Sequence, residues 1–156
     1  MGQNLGEDDM KALTLWQPWA SVVALGIKKI ENRRWKPPAS VIGRRIAIHA
    51  GKTYDEKGAK LIAEICGGQP ERVPFGVLMA TARVVGVVTT PEEVALDQRR
   101  WFFGPYGWVL EDIYPCDEVE IKGAQGLWSL PPTLSGQLEA EAGRLAAWGA
   151  RGILYP

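Results

Sequence analysis

Apolar and polar positions alternate over Lys11–Leu15 and again over Arg45–Ala50, the period of a half-buried strand. In the second run Ile46 and Ile48 share one face, and Arg45, Ala47 and His49 the other. Between the two, Pro18 suits the first turn of a helix whose apolar positions Trp19, Val22, Val23 and Leu25 lead to Gly26, a residue suited to ending it. The basic stretch Ile27 to Pro38 ends in a Pro-Pro pair and reads as a short strand running into a loop. Thr53 with Glu56 three residues later forms a capping box for a helix with Ala59, Ile62, Ile65 and Cys66 as its buried stripe and Gly67-Gly68 as its stop. Phe75 to Val88 is valine-rich and interrupted by Gly76 and Gly86, which predicts a long central strand with a bend or bulge. A second capping box, Thr90-Pro91-Glu92-Glu93, opens a short helix ending near Arg100. Gly107–Leu110, Pro115–Ile121 and Leu127–Leu130 are further short strands, and a last helix spans Ser135–Ala150 with Leu138, Ala142, Leu145 and Ala146 on one stripe.

Five or six short strands with peripheral helices describe an α+β fold, a small mixed β-barrel. Strands and helices do not alternate regularly, which disfavours a doubly wound sheet. Residues 1–9 are polar and read as a disordered leader, 10–130 as the domain, and 131–156 as a helical extension packed on it or a contact for a homodimer. At 156 residues a single core buries about two-thirds of the unfolded surface, so no metal or disulfide is required. The cysteines, Cys66 and Cys116, and the one histidine, His49, leave a zinc site of Cys and His one ligand short. No metal and no cofactor are expected, and both thiols are expected reduced in the interior. No apolar run approaches the roughly 20 residues that span a bilayer, and the first ten residues carry acids where a signal peptide carries bases. A cytoplasmic location without membrane contact is the expectation.

Charge changes the picture. The chain is neutral overall, yet Lys28 to Lys60 holds ten bases and three acids, so +7 there balances −7 elsewhere. The densest part, Leu13 to Trp35, combines Trp16, Gln17, Trp19, Lys28, Lys29, Glu31, Asn32, Arg33, Arg34 and Trp35. Stacking surfaces, an amide able to read a base edge and phosphate-reaching bases together suit single-stranded nucleic acid. The same residues also admit a structural reading, with Trp16 and Trp19 as core anchors and Gln17 capping the helix. His49, beside Lys52 at a strand end, reads either as a site residue or as a hydrogen-bonded core residue. Arg99-Arg100-Trp101 repeats the base-plus-aromatic pairing or is a basic last helical turn. Tyr106, between Gly104-Pro105 and Gly107, is placed in a mobile turn at a cleft edge or packed on the barrel end.

The pattern W-Q-P-W-A-S, then G-x-K-x-x-E-N-R, a Trp, and I-A-I-H-A after a basic turn resembles the ASCH domain, named for its homology to activating signal cointegrator 1 and PUA-like in fold. Pro74–Leu78 and the blocks Phe103–Leu110 and Lys122–Trp128 are similar to the family's second half, so the likeness spans about Met10 to Leu130. The resemblance implies a cleft lined by the helix over Gln17–Ser21 and the segment Lys28–Arg33, used for RNA, another single-stranded nucleic acid or a modified base within it. Lys28 would meet a phosphate or polarise a carbonyl, Arg33 would bind phosphate bidentately, and Trp19, Trp35, Tyr106 or Trp108 would stack a base. Gln17, Ser21, Glu31, His49 and Lys52 complete the expected site, with a Lys28–Glu31 salt bridge holding the cleft wall as the structural alternative. Small ASCH amidohydrolases of acylated cytidines are similar at G-x-K-x-x but use a Thr where this chain has Glu31. A hydrolase of a modified nucleoside would then have Lys28 and Glu31 as its catalytic pair, with Glu31 activating water. Ribonuclease activity is attributed to some relatives, but one histidine and no acidic metal-binding cluster supply no clear machinery for it. A protein-interaction module is the third reading, and it predicts an apolar patch on the last helix.

Overall fold

The computed structural model describes residues 9–150; the expected leader over 1–9, apart from Asp9, and the last six residues of the expected extension over 131–156 lie outside them. The elements are β1 (Lys11–Gln17), α1 (Trp19–Ala24), β2 (Ile30–Arg33), β3 (Arg45–Tyr54), α2 (Glu56–Cys66), β4 (Val77–Val88), β5 (Tyr106–Glu120), β6 (Leu127–Ser129) and α3 (Pro132–Ala150). The six strands form one mixed sheet in the order β2-β5-β4-β3-β1-β6, a curled α+β arrangement in which β1–β3 is the parallel pair and the others are antiparallel.

Both faces of the central strands are buried, each against a different layer. Leu13 and Leu15 of β1, Ile46, Ile48 and Ala50 of β3, Ala80, Ala82 and Val84 of β4 and Trp108 and Leu110 of β5 pack with Ala20 and Val23 of α1. The opposite face carries Ala12, Ala47 and Leu78 against Leu138 of α3, so the strand alternation separates two cores rather than core from water. A third cluster joins Val22, Ile30, Ile62 and Trp101 beneath α2.

Several local expectations change. β3 continues to Tyr54, and Asp55 rather than Thr53 caps α2, its carboxylate accepting from Gly58 N at 2.9 Å and from the Trp19 indole at 2.9 Å. A charged acceptor held by an indole outcompetes a hydroxyl for the orphan amides. The second capping box is present but opens a 3-10 turn, Pro91–Glu93, followed by another over Leu96–Trp101, because Val94 and Ala95 are extended. The two strands expected over 107–121 are one, since β5 absorbs Asp112, at φ +48°, as an irregularity opposite Thr81–Arg83. Tyr106 begins that strand opposite Arg33 rather than lying in a turn. Cys66 is exposed in the last turn of α2 and Cys116 is half-buried; both are free.

Gly107 shows why glycine occupies the start of β5. A Cβ there would come within 2.8 Å of Val88 and 2.9 Å of Ile30 and Phe102, so only a bare Cα lets β2, β4 and the Phe102 loop converge.

Candidate functional site

The site forms where the curled sheet stops pairing. β6 covers the edge of β1 only as far as Leu13, and β2 is the other end of the sheet. The carbonyl of Thr14 instead accepts from Arg33 Nη2 of β2 at 3.0 Å, so a side chain spans the seam that no ladder closes. Arg33 Nε donates to Glu31 Oε2 at 3.0 Å, and Glu31 Oε1 lies 3.4 Å from Lys28 Nζ. Lys28 reaches there because the chain turns at Gly26, φ +75°, just past α1, and the next two amides fold back onto the Val22 carbonyl. Its ammonium donates to the Ile30 carbonyl and sits 5.3 Å from the Trp19 ring centre. Only 2% of Lys28 and 8% of Glu31 are exposed. Burial pulls the Lys28 amine below the ordinary lysine range, and the Glu31 carboxylate opposes that pull.

Above this charged floor lies a recess of about 600 Å³ with aromatic walls. Trp16 is 57%, Phe103 48% and Trp35 36% exposed, values high enough to leave ring surface free for a ligand. Two of them are braced from behind: Trp35 stands edge-on to Trp108 at 4.9 Å, and Phe103 edge-on to Trp19 at 5.8 Å. Asn32 fixes the Phe103 loop with its whole amide. Its Oδ1 accepts from the amides of Phe103 and Gly104 at 2.7 and 3.1 Å, and its Nδ2 donates to the Trp101 carbonyl at 2.9 Å. Arg34, exposed, adds a cation at the mouth.

A family model for the ASCH domain matches residues 13–121, from β1 through β5, and so includes both sides of the seam. The chain belongs to the ASCH domain family. The ASCH protein of Zymomonas mobilis has the same fold, with a TM-score of 0.54 at 18% identity over 85% of this chain and 94% of that one. A tyrosine-to-phenylalanine variant of that protein gives 0.53 at 18% identity over 85% and 97%. Its serine-to-alanine variant gives 0.53 at 17% over 86% and 97%. No curated protein matches by sequence. In this ASCH domain, β6 and α3 lie beyond the matched segment.

The residues singled out from sequence divide into three groups. Trp19, Lys28, Glu31, Arg33 and Trp35 are brought together at the seam. Gln17, Ser21 and Trp108 are buried and committed elsewhere: Gln17 donates to the Pro74 carbonyl at 2.8 Å and accepts from Ser21 N at 3.0 Å, Ser21 Oγ donates to the Arg72 carbonyl at 2.8 Å, and Trp108 donates to the Trp35 carbonyl at 3.1 Å. None of the three lines the recess, and Trp108 has no face open to a base. Tyr106 is half-buried beneath Lys36, 5.9 Å from its ring centre. His49 and Lys52 line a neighbouring recess that shares Thr14 with the seam. Sequence reasoning missed Phe103, whose signal was the exposed-loop motif F-F-G-P directly before β5, and left Asn32 without a role. Among the described residues no group of three or more His, Cys, Asp or Glu is arranged to hold a metal, and no helix is long and apolar enough to cross a membrane.

Proposed function

We propose that the seam recess binds single-stranded RNA or another single-stranded nucleic acid by taking up one base, with a modified base as its preferred occupant. The observation that carries this reading is the set of three exposed rings, Trp16, Trp35 and Phe103, around a floor where Lys28, Glu31 and Arg33 are already paired. Exposed rings, two of them braced, suit base stacking, and a volume of about 600 Å³ falls in the range of small-ligand sites. The floor's donors and carboxylate are committed to one another and to the Ile30 and Thr14 carbonyls, so the base is held by the rings above it. Phosphate contact then falls to exposed Arg34 and to the free part of Arg33. Membership of a family associated with RNA supports the same reading.

A hydrolase built on Lys28 and Glu31 has less support. The Lys28 ammonium is occupied by the Ile30 carbonyl and Glu31, and Glu31 is shared with Arg33, which leaves neither group poised over open space.

The test is a titration with short single-stranded RNA followed by tryptophan fluorescence at several salt concentrations. One or two phosphate contacts predict a slope of log affinity against log salt between about −0.7 and −1.4. Trp16→Ala is expected to weaken binding by about 5- to 100-fold without loss of folding. Unchanged affinity in Trp16→Ala and Phe103→Ala together would remove the seam as the binding site.

A further inference from the structure

The recess beside the seam carries a second set of nucleotide-binding features. It encloses about 770 Å³ between the end of β3, Phe75 and Gly76 before β4, and the segment Glu120–Gln125, which begins at the last residue of β5. Thr14 stands in the wall common to both recesses. Its carbonyl faces the seam and accepts from Arg33, while its hydroxyl faces the other way, 3.1 Å from His49 Nδ1. His49 Nε2 lies 2.8 Å from the Ile121 carbonyl, which only accepts, so Nε2 carries the proton and Nδ1 accepts from Thr14. The Trp128 indole donates to the same hydroxyl at 3.1 Å. Every polar group of this floor is therefore satisfied within the protein, and Gly123 lies so close over it that a Cβ would come within 2.6 Å of Thr14 Oγ1 and His49. Recognition falls to the walls. There Phe75 is 44% exposed and braced by Tyr54 at 6.5 Å, with the exposed side chains of Lys52, Lys122 and Gln125 around it.

We infer that this recess is a second nucleotide subsite, which takes the neighbour of the base held in the seam, so that the ligand is a strand of at least two nucleotides rather than a free nucleoside. The inference rests on the seam reading given above. Phe75 supplies the stacking face and Lys52 and Lys122 the charge for the linking phosphate, against the one carboxylate of the rim, Glu120. The common wall at Thr14 makes the two occupants adjacent along the strand.

The experiment compares a mononucleoside, the dinucleotide of the same base and a six-nucleotide RNA by calorimetry, for the natural chain, Phe75→Ala and Lys52→Ala/Lys122→Ala. The dinucleotide is expected to bind at least 10-fold more tightly than the mononucleoside. Phe75→Ala should reduce dinucleotide affinity about 5- to 100-fold and mononucleoside affinity less than 2-fold. Equal affinity for the two ligands, or an equal loss for both in Phe75→Ala, would overturn the second subsite while leaving the seam reading intact. Loss of all three ligands in Trp16→Ala with Phe75→Ala unaffected would also overturn it. Absence of binding by the natural chain to all three would overturn both readings.

Discussion

Glu31→Gln and Lys28→Met test whether the floor of the seam is an electrostatic unit. Both replacements keep the side-chain volume, so packing is held nearly constant and charge is what changes. Glu31→Gln leaves the Lys28 ammonium, 2% exposed, without its counter-charge. Removing one partner of a buried pair costs about 3–5 kcal/mol, and the Ile30 carbonyl that Lys28 retains places this case at about 3 kcal/mol. Lys28→Met instead removes the buried cation, while Glu31 keeps Arg33 at 3.0 Å. The lost donor to the Ile30 carbonyl is then partly offset by relief from desolvation, for a net cost of about 1 kcal/mol. With about 2–4 °C per kcal/mol for a domain of this size, thermal unfolding should drop by about 6–12 °C for Glu31→Gln and about 2–4 °C for Lys28→Met. The double variant should resemble Lys28→Met, a coupling of about 2–3 kcal/mol between neighbours. Calorimetry or circular dichroism melts at neutral pH give all four values. Additive costs, or a larger loss for Lys28→Met than for Glu31→Gln, would refute the reasoning and make the Lys28 contacts with the Ile30 carbonyl and Trp19 the dominant ones.

Burial holds the His49 imidazole below its ordinary value near 6.5, so the unfolded chain takes up the proton first and stability, complete above that value, falls as pH drops through the window beneath it. Melts at pH 7.5 and 5.5 should therefore show a drop in the natural chain and a smaller one in His49→Gln, which keeps a donor for the Ile121 carbonyl; equal drops would exclude His49 as the source. Gly107→Ala should cost about 1–3 kcal/mol in urea unfolding through overpacking against Val88, Ile30 and Phe102, whereas Gly86→Ala, with nothing within 4 Å of the added carbon, should be nearly neutral. Equal costs would mean that the β2–β4 convergence yields easily.

The strands and helices were legible wherever period and punctuation agreed, as in the alternation of β3 or the Gly26 stop after α1. What local pattern could not convey was the seam itself. It depends on β6 ending at Leu13 and on Arg33 reaching the Thr14 carbonyl nineteen residues back, a pairing set by the sheet order rather than by neighbours in sequence. For the same reason composition grouped Gln17 with Trp35 and the family resemblance added Trp108, although Gln17 and Trp108 are wholly buried and Trp35 presents a free ring. The basic run was informative in number but not in placement. Lys28 and Arg33 turn into the seam, Lys52 lines the second recess, and Arg44 and Arg45 border a separate hollow with Arg83 and Glu139. Likewise Thr53 satisfied a capping pattern that the stronger acceptor two residues on, Asp55, took over once Trp19 folded against it.

The most direct measurement follows the indole N–H signals of the seven tryptophans by two-dimensional NMR while a short single-stranded RNA is added. Binding at the seam predicts that the signals of Trp16 and Trp35 move first and furthest, with Trp148 of α3 unmoved. A response from Trp148 alone, or no movement of Trp16 and Trp35 at saturating RNA, would contradict the account.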